Sequence, residues 1–460
     1  MAARVSERAG PSAVSGSPSA GYGASAATCA VLLLLTIPRF ASGRLLSVGA
    51  LGLASDVSVG QLVCLGLGGA AFLLHGRRMT KTGTLVLTAA SIVVVTNLGH
   101  VILGSHADVT TLARGAFTTI VNAAPIVFLA RYLQDRSDVR AVARGVVWYL
   151  AALIGSGLVE FFLVTVAPVF LPVWRRLVWG PVPPTELQVL GGVVLHAGAG
   201  AAIRVGGFAG APENLGLYLA LGLPALVLAD VRERAANLVL GGAALLTIVT
   251  ASRSLLLGLV LFTVLFLLSR RGTVTRARVG VAAAIVVFGG LLWFSQANPY
   301  AGARLDQQVR DAELTRRTAE AHALLRDSAL GGWSLATGTG MGWSGSADPR
   351  FAAIASGLLG GDYVVAWVTG GLVACVVVGL LALALIRACL RWRRRPRGAA
   401  VAWYPLIFVF ALSFAQIVFT QLYLIQSLVL VLVFGIAVCM DADALADEQL
   451  PGSLAEAARD

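Results

Sequence analysis

Long stretches without charged side chains most constrain what this chain can fold into. The run from Ala235 to Leu268 has 34 residues and a single charged side chain, Arg253. About 20 apolar residues are enough to cross the hydrocarbon core of a bilayer, and apolar runs recur along the 460 residues. Only 13% of the residues are charged, whereas soluble domains have about 25%. Because lipid offers the backbone no hydrogen bonds, we predict an all-α polytopic membrane protein.

The apolar runs predict twelve membrane spans. They cover residues 24–41, 57–75, 82–103, 110–132, 143–170, 212–229, 235–250, 253–269, 277–296, 360–387, 401–420 and 422–440. The apolar segment 186–203 is interpreted as a re-entrant segment rather than a span. The chain then divides into a disordered tail (1–23), a membrane domain with spans 1–9 (24–296) that includes an outer loop (171–211), a large extracytoplasmic loop (297–359), spans 10–12 (360–440) and an acidic tail (441–460).

Arginine clusters between the runs orient the spans, because cytoplasmic loops of membrane proteins are enriched in Lys and Arg. With the N-terminus inside, five inner loops carry 19 basic residues: GRRMTK, RYLQDRSDVRAVAR, DVRERA, SRRGTVTRAR and RACLRWRRRPR. Both termini are then cytoplasmic. The large outer loop contains RLDQQVRDAELTRRTAEAHALLRDSAL, whose partly apolar face predicts a helix along the membrane surface between spans 9 and 10.

The net charge of +12 does not indicate a nucleic-acid partner, because the arginines form short clusters at the ends of apolar runs. The five cysteines lie in or beside apolar runs and show neither a disulfide framework nor a metal-binding pair. The five histidines also lack metal-ligand spacing. We therefore expect no bound metal.

This topology moves Arg253 from the middle of an apolar run to an outer turn between two spans. Arg204 lies on the same face, just before GGFAGAPENLG, and the large loop adds Arg317 and other arginines. Guanidinium groups bind phosphate through paired hydrogen bonds, so these arginines predict a site for a lipid-linked phosphate or pyrophosphate. Two alternatives remain open. Arg253 snorkels at a helix end, or the loop arginines are merely solvated.

Polar side chains lie at the start of two predicted helices on the same outer side. Glu213 and Asn214 fall in the first turn after Pro212, near the positive end of the helix dipole, although an ordinary helix start has the same composition. Asp362 precedes span 10 in GGDYVVAWVTGGL. Its carboxylate is a candidate general base that takes a proton from a sugar hydroxyl. An N-capping role for Asp362 is the equal alternative.

Three segments, taken in order, resemble the O-antigen ligase and O-antigen polymerase superfamily of bacterial membrane glycosyltransferases. RVGGFAGAPENLGLYLAL resembles the family's segment of an arginine, a glycine-phenylalanine and a proline-asparagine-x-glycine helix start. LLTIVTASRSLLLGLVL resembles its threonine-x-serine-arginine hairpin. RRTAEAHALLRDSALGGWSLATGTGMG, followed by GGDYVVAWVTGGLVACVVVGL, resembles its large outer loop and return helix. The resemblance covers residues 204–380, less than half of the chain.

The resemblance implies a GT-C-type helical fold with about twelve spans in the bacterial cytoplasmic membrane. It implies transfer of a glycan, without a cofactor, from an undecaprenyl-pyrophosphate carrier to the hydroxyl of a glycan or lipid acceptor at the outer face. Arg204 and Arg253 match the family's two arginines thought to hold the pyrophosphate.

The start of the return helix departs from the family's pattern. Ligases of the family usually carry a histidine followed by asparagine there, whereas this chain has GGDYVV, so Asp362 is the nearest counterpart. This setting also resembles the shape-and-division peptidoglycan polymerases, which place an aspartate before such a helix. His322 lies in the predicted loop helix but not at the matching position.

Two other functions fit parts of the sequence. A lipid-linked oligosaccharide flippase or polysaccharide exporter also has about twelve spans, but it should show pseudo-repeats and charges near the bilayer midplane. Nearly all charge in this chain lies at the ends of spans. A catalytically degenerate relative that assists other polysaccharide-assembly proteins is the third hypothesis, since the family's histidine is missing.

Overall fold

The computed structural model describes residues 18–41, 46–48, 55–102, 109–180, 205–250, 252–269, 333–338, 341–342, 345–346, 362–394, 400–413 and 427–448. The predicted re-entrant segment 186–203, span 277–296 and the surface helix of the large loop lie outside these residues. The described part of the chain is almost entirely helical.

Seven helices precede the first long gap. They are α1 (Pro18–Thr36), α2 (Pro38–Ala41), α3 (Val59–Leu73), α4 (Lys81–Ile102), α5 (Val109–Tyr132), α6 (Arg136–Thr165) and α7 (Leu171–Trp179). A 3-10 turn, Pro168–Phe170, joins α6 to α7. Two short strands, β1 (Leu46–Val48) and β2 (Ser55–Val57), pair antiparallel before α3.

Eight further helices follow. They are α8 (Pro212–Gly222), α9 (Ala225–Leu228), α10 (Glu233–Thr250), α11 (Arg253–Ser269), α12 (Trp333–Thr337), α13 (Asp362–Trp392), α14 (Tyr404–Ser413) and α15 (Ser427–Glu448). The 3-10 turns Gly207–Ala209 and Val401–Trp403 precede α8 and α14. A second antiparallel pair, β3 (Met341–Gly342) and β4 (Gly345–Ser346), follows α12.

Five of the described helices are long and apolar enough to cross a membrane: Lys81–Ile102, Leu112–Tyr132, Arg136–Thr165, Gly370–Trp392 and Leu428–Ala446. Shorter apolar helices lie in the predicted spans 24–41, 57–75, 212–229, 253–269 and 401–420. The 18-residue helix α10 covers the predicted span 235–250, and the predicted span 277–296 is not described. The chain is therefore a helical membrane protein, as its apolar runs predict. Twelve spans and a GT-C-type arrangement remain predictions.

Helix α15 lies at the centre of the bundle. It packs against α4, α5, α6, α8 and α13, and 94% of its apolar window is buried inside the protein. Its side chains are apolar on every face from Leu428 to Met440, which is the composition expected of a helix surrounded by other helices. The sequence alone predicts an ordinary span here, because apolar composition does not separate contact with lipid from contact with protein.

Three helix boundaries differ from the predicted ones. Helix α1 begins at Pro18, inside the segment 1–23 predicted as a tail. Helix α15 continues past Met440 to Glu448, so the first residues of the predicted tail 441–460 are helical. Helix α13 is broken at Gly371, where φ is 54° and ψ is −137°, and the predicted span 360–387 is two helical segments.

Asp441 explains why α15 extends further than predicted. It is fully buried, and its carboxylate accepts hydrogen bonds from the backbone N and the hydroxyl of Thr82, at 3.1 and 2.9 Å. Arg391 pairs with the same carboxylate at 3.2 Å. An acid that caps α4 and neutralises an arginine of α13 is stable inside the helix bundle.

These contacts define one end of the bundle, which we call the Asp441 end. It contains the start of α4, the end of α13 and the end of α15. Arg136 at the start of α6 joins them through Asp443, at 3.6 Å, and Arg140 lies 3.8 Å from Asp230. Four of the five predicted inner loops therefore meet at the Asp441 end: GRRMTK, RYLQDRSDVRAVAR, DVRERA and RACLRWRRRPR.

The opposite end, which we call the Arg253 end, contains the end of α6 and the start of α11. Helix α10 starts next to Asp230 and has 18 residues, a length of about 27 Å, so the turn before Arg253 lies at the far side of the bundle. Helix α6 likewise runs from Arg136 at the Asp441 end to Thr165 at the Arg253 end.

Candidate functional site

The glycine-rich loop before α8 is held against the outer part of α6. The backbone N of Phe208 donates to the Ser156 hydroxyl at 3.0 Å, and the Phe208 ring stacks on Trp174 of α7 with centroids 5.5 Å apart. Gly207 has φ of +51°, and a Cβ there would come within 2.6 Å of the Ser156 oxygen. Both the left-handed backbone and the close approach require glycine, which accounts for the GGF sequence.

Glu160 fixes the same loop from α6. Its side chain is 5% exposed, and the carboxylate accepts hydrogen bonds from the backbone N of Gly206, at 3.1 Å, and from the backbone N of Gly207. Arg175 of α7 lies near enough for its charge to act on this carboxylate. Burial lowers the pKa of the Arg175 guanidinium, and Glu160 opposes that shift. This buried acid therefore holds the loop before α8 together with Ser156 and Trp174.

Helix α8 begins where this loop ends, without a side-chain cap. Ala211 occupies the N-cap position and Pro212 the first helical position, where its missing N–H is no loss because that donor has no helical partner. An uncapped N-terminus leaves backbone N–H groups and the positive end of the helix dipole available to an anion.

The hairpin of α10 and α11 brings Arg253 to the same place. Arg253 is the first residue of α11. The preceding Ser252 is 4% exposed and lies against Gly216 of α8, where a Cβ would overlap the Ser252 side chain. Further along, a Cβ on Gly258 would come within 2.5 Å of the Ala220 Cβ.

These two contacts show that α8 and α11 run side by side and parallel. Gly216 precedes Ala220 on α8, just as Ser252 precedes Gly258 on α11. The N-termini of both helices therefore point to the Arg253 end. Two adjacent helix N-termini concentrate positive potential at one place, and backbone N–H groups there are suited to phosphate oxygens.

The predicted site residues are placed as follows. Arg253 begins α11, Glu213 and Asn214 are in the first turn of α8, and Asp362 begins the segment of α13 that precedes the break at Gly371. Arg204 directly precedes the described residue Val205, and it lies outside the described residues together with Arg317 and His322. The structure brings the chain segments of Arg253, Glu213 and Asn214 together, and the role of each side chain remains a prediction.

The break in α13 is formed around α12. At Gly371 a Cβ would overlap the carbonyl of Leu335 and come within 2.9 Å of the Gly338 nitrogen, so α12 packs directly on the backbone of the break. The carbonyl of Thr337 also lies 3.1 Å from Nε2 of His100, near the end of α4. Residues 333–338 are thereby attached to α4 and α13 at the Arg253 end.

Sequence reasoning missed Glu160 and His100. Glu160 is the only charged residue between Arg144 and Arg175, and a lone acid in a predicted span is itself a signal of function or of a specific partner. His100 is 4% exposed, and its Nδ1 has no hydrogen-bond partner among the residues that the structure describes. His100 falls in the predicted span 82–103, and a histidine inside a membrane span is as uncommon as an acidic residue.

Comparison with protein-family models gives no match for this chain, and comparison with curated proteins gives no significant match.

Proposed function

We propose that this protein is a membrane glycosyltransferase that transfers or polymerises glycans from an undecaprenyl-pyrophosphate carrier onto an acceptor hydroxyl. The proposal rests on the resemblance of residues 204–380 to the O-antigen ligase and polymerase superfamily. The observation that carries it further is the parallel packing of α8 and α11, which places the start of Arg253's helix beside the loop that follows Arg204.

This arrangement supports a pyrophosphate leaving group. Negative charge grows on the pyrophosphate as the glycosidic bond breaks, and donors already held in position stabilise that charge in the transition state. Arg204 and Arg253 are the proposed forked ligands, and the N-termini of α8 and α11 add backbone donors. Glu160 contributes indirectly, since it holds the Gly206–Gly207 backbone that follows Arg204 in the sequence.

Asp362 is the proposed general base. A carboxylate that takes the proton of the acceptor hydroxyl assists attack on the anomeric carbon from the side opposite the pyrophosphate, which inverts that centre. The expected contribution of such a base is about 10²- to 10⁴-fold in rate. The substitution Asp362→Asn keeps the shape and removes the base. We expect product formation to fall by at least about 100-fold, and unchanged turnover would show that another group accepts the proton.

The proposed location is the bacterial cytoplasmic membrane, with the Arg253 end outside. The support is the distribution of basic residues, since four basic loops meet at the Asp441 end and positive loops are retained in the cytoplasm. An undecaprenyl-linked donor would then be used at the outer face.

Deletion of the gene tests the proposed function. Lipid-linked glycans extracted from cells with and without the gene are compared by mass spectrometry. We expect them to accumulate in the deletion strain, as single repeats if the protein is a polymerase and as long unattached chains if it is a ligase. Unchanged lipid-linked glycans together with unchanged surface polysaccharide would contradict the proposal. Accumulation on the cytoplasmic side alone would indicate a flippase instead.

A further inference from the structure

A basic groove lies at the Asp441 end, opposite the proposed catalytic site. It is formed by the start of α4 and the last turns of α13 and has a volume of about 820 Å³. It is lined by Lys81, Thr84, Leu85, Leu383, Ile386, Arg387, Leu390, Arg391 and Arg394. We call this feature the α4–α13 groove.

The charges lining the α4–α13 groove are all positive. Arg387 and Arg391 are one helical turn apart on α13, Arg394 lies two residues beyond the end of that helix, and Lys81 faces them from α4. Arg391 is already paired with Asp441, and that carboxylate also holds Thr82. The remaining three cations are therefore not balanced by Asp441, and none of the described residues that line the groove is acidic.

Among the groove residues, Arg387 has the strongest requirement for an anionic partner. Its Nε and Nη2 atoms are buried, and neither has a hydrogen-bond partner among the described residues. A buried charged donor without a partner is costly. Nε and Nη2 are neighbouring donors of one planar guanidinium, a geometry that matches two oxygens of a phosphate group.

The other wall of the α4–α13 groove is apolar. Leu383 is 50% exposed and Leu390 is 39% exposed, and both belong to the candidate membrane span Gly370–Trp392. An inorganic anion would leave this wall uncovered. A phospholipid satisfies both parts, because its phosphate reaches the arginines while its acyl chains cover the leucines.

We propose that the α4–α13 groove binds the headgroup of an anionic phospholipid. The phosphodiester oxygens accept hydrogen bonds from Arg387, while Lys81 and Arg394 supply further positive charge. The acyl chains lie along the α13 surface around Leu383 and Leu390. This site is independent of the proposed glycosyl transfer, and its occupancy is measurable without any glycan substrate.

Native mass spectrometry of the full-length protein tests the proposal. The protein in detergent is titrated with phosphatidylglycerol or with phosphatidylcholine of the same acyl chains, and retained lipid is counted. We expect phosphatidylglycerol to be retained at least about tenfold more strongly. The double variant Arg387→Gln/Arg394→Gln should lower its affinity about 30-fold, because each basic residue near an anionic lipid contributes about a factor of five.

The matched control is Arg78→Gln/Arg393→Gln, which removes the same charge from two exposed arginines outside the groove. It should retain phosphatidylglycerol as the wild type does. If the Arg387 variant fails to fold, Lys81→Gln is the second test, since Lys81 is exposed, and we expect it to lower affinity about fivefold.

Three results would overturn the proposal. The first is that the wild type retains the two lipids equally. The second is that the groove variant and the control variant lose the same affinity for phosphatidylglycerol. The third is that millimolar inorganic phosphate displaces the lipid. The second result would indicate diffuse surface charge, and the third a site for a free anion.

Discussion

At the scale of single residues, Glu160 holds in position the glycine-rich loop next to the proposed pyrophosphate site. Its carboxylate satisfies two backbone N–H groups at the start of the loop that contains the 3-10 turn Gly207–Ala209. Buried donors without a partner cost about 1–3 kcal/mol each. This acid, which belongs to a different helix, therefore stabilises the loop before α8.

The substitution Glu160→Ala should destabilise the protein by about 2 to 6 kcal/mol, because it leaves two buried N–H groups without an acceptor. Glu160→Gln keeps an acceptor oxygen and should cost less. The measurement is the thermal midpoint of the detergent-solubilised protein. Val159→Ala is the control, since Val159 is 44% exposed. A Glu160→Ala variant as stable as Val159→Ala would show that the loop does not depend on this carboxylate.

The sequence reveals the arginines of the site more readily than the residues that support them. Arg253 stands out because it is a lone charge in an apolar run of 34 residues. The contact between Gly216 and Ser252 cannot be foreseen, because it joins two residues that are unremarkable in their own segments. Glu160 was recognisable by the same criterion as Arg253, as a charge inside a predicted span.

At the scale of helices and loops, apolar run length predicts where helices occur but not where they break. Gly371 lies in an uninterrupted apolar segment from Tyr363 to Ile386, and glycine is common in membrane helices. What breaks α13 is the backbone of α12, which occupies the space that a continuous helix would need. The Asp441 extension of α15 was missed for the same reason, since its partners Thr82 and Arg391 are distant in sequence.

Two glycines of α13 test whether the packing of α12 breaks this helix at Gly371. Gly371→Ala places a side chain on a backbone with φ of +54° and against the Leu335 carbonyl, so we expect a loss of about 2 kcal/mol or more. Gly379→Ala is the matched control, because a Cβ there meets nothing. In a helix this change should be neutral or stabilising by up to about 1 kcal/mol.

Thermal unfolding in detergent compares the two glycine variants. A lower midpoint for Gly371→Ala together with an unchanged or higher midpoint for Gly379→Ala is the expected pair of results. Equal midpoints for both would mean that α13 is a continuous helix and that α12 does not pack against it.

At the scale of the whole molecule, the bundle has two chemically different ends. The Asp441 end joins α4, α13 and α15 through buried acid-arginine contacts, and α6 through Arg136. The Arg253 end is formed by a glycine-rich loop, the N-terminus of α8, which has no side-chain cap, the N-terminus of α11 and α12. The contacts at the Asp441 end fix the helices relative to one another. The Arg253 end leaves backbone N–H donors at the start of α8 available to a ligand, as the proposed glycosyl transfer requires.

Two threonines of α4 test the importance of the Asp441 end. The Thr82 hydroxyl donates to buried Asp441, whereas the hydroxyl of exposed Thr88 donates to the Thr84 carbonyl within its own helix. We expect Thr82→Ala to cost about 1.5–3 kcal/mol, the range for hydrogen bonds to charged groups, and Thr88→Ala to cost almost nothing. The measurement compares the thermal midpoints of the two variants in detergent, and the midpoint of Thr82→Ala should be the lower one. Equal midpoints would show that Asp441 does not join α15 to α4.

The most direct measurement concerns Arg253 in living cells. Strains carrying Arg253→Ala or Arg176→Ala are compared for surface polysaccharide and lipid-linked glycan at matched levels of membrane-inserted protein. Arg176 is an exposed arginine of α7 and serves as the control. The account predicts that Arg253→Ala lowers product by at least about 100-fold, as expected when a transition-state donor is removed, while Arg176→Ala leaves it near the wild-type level. Wild-type product in the Arg253→Ala strain would contradict the pyrophosphate role of Arg253.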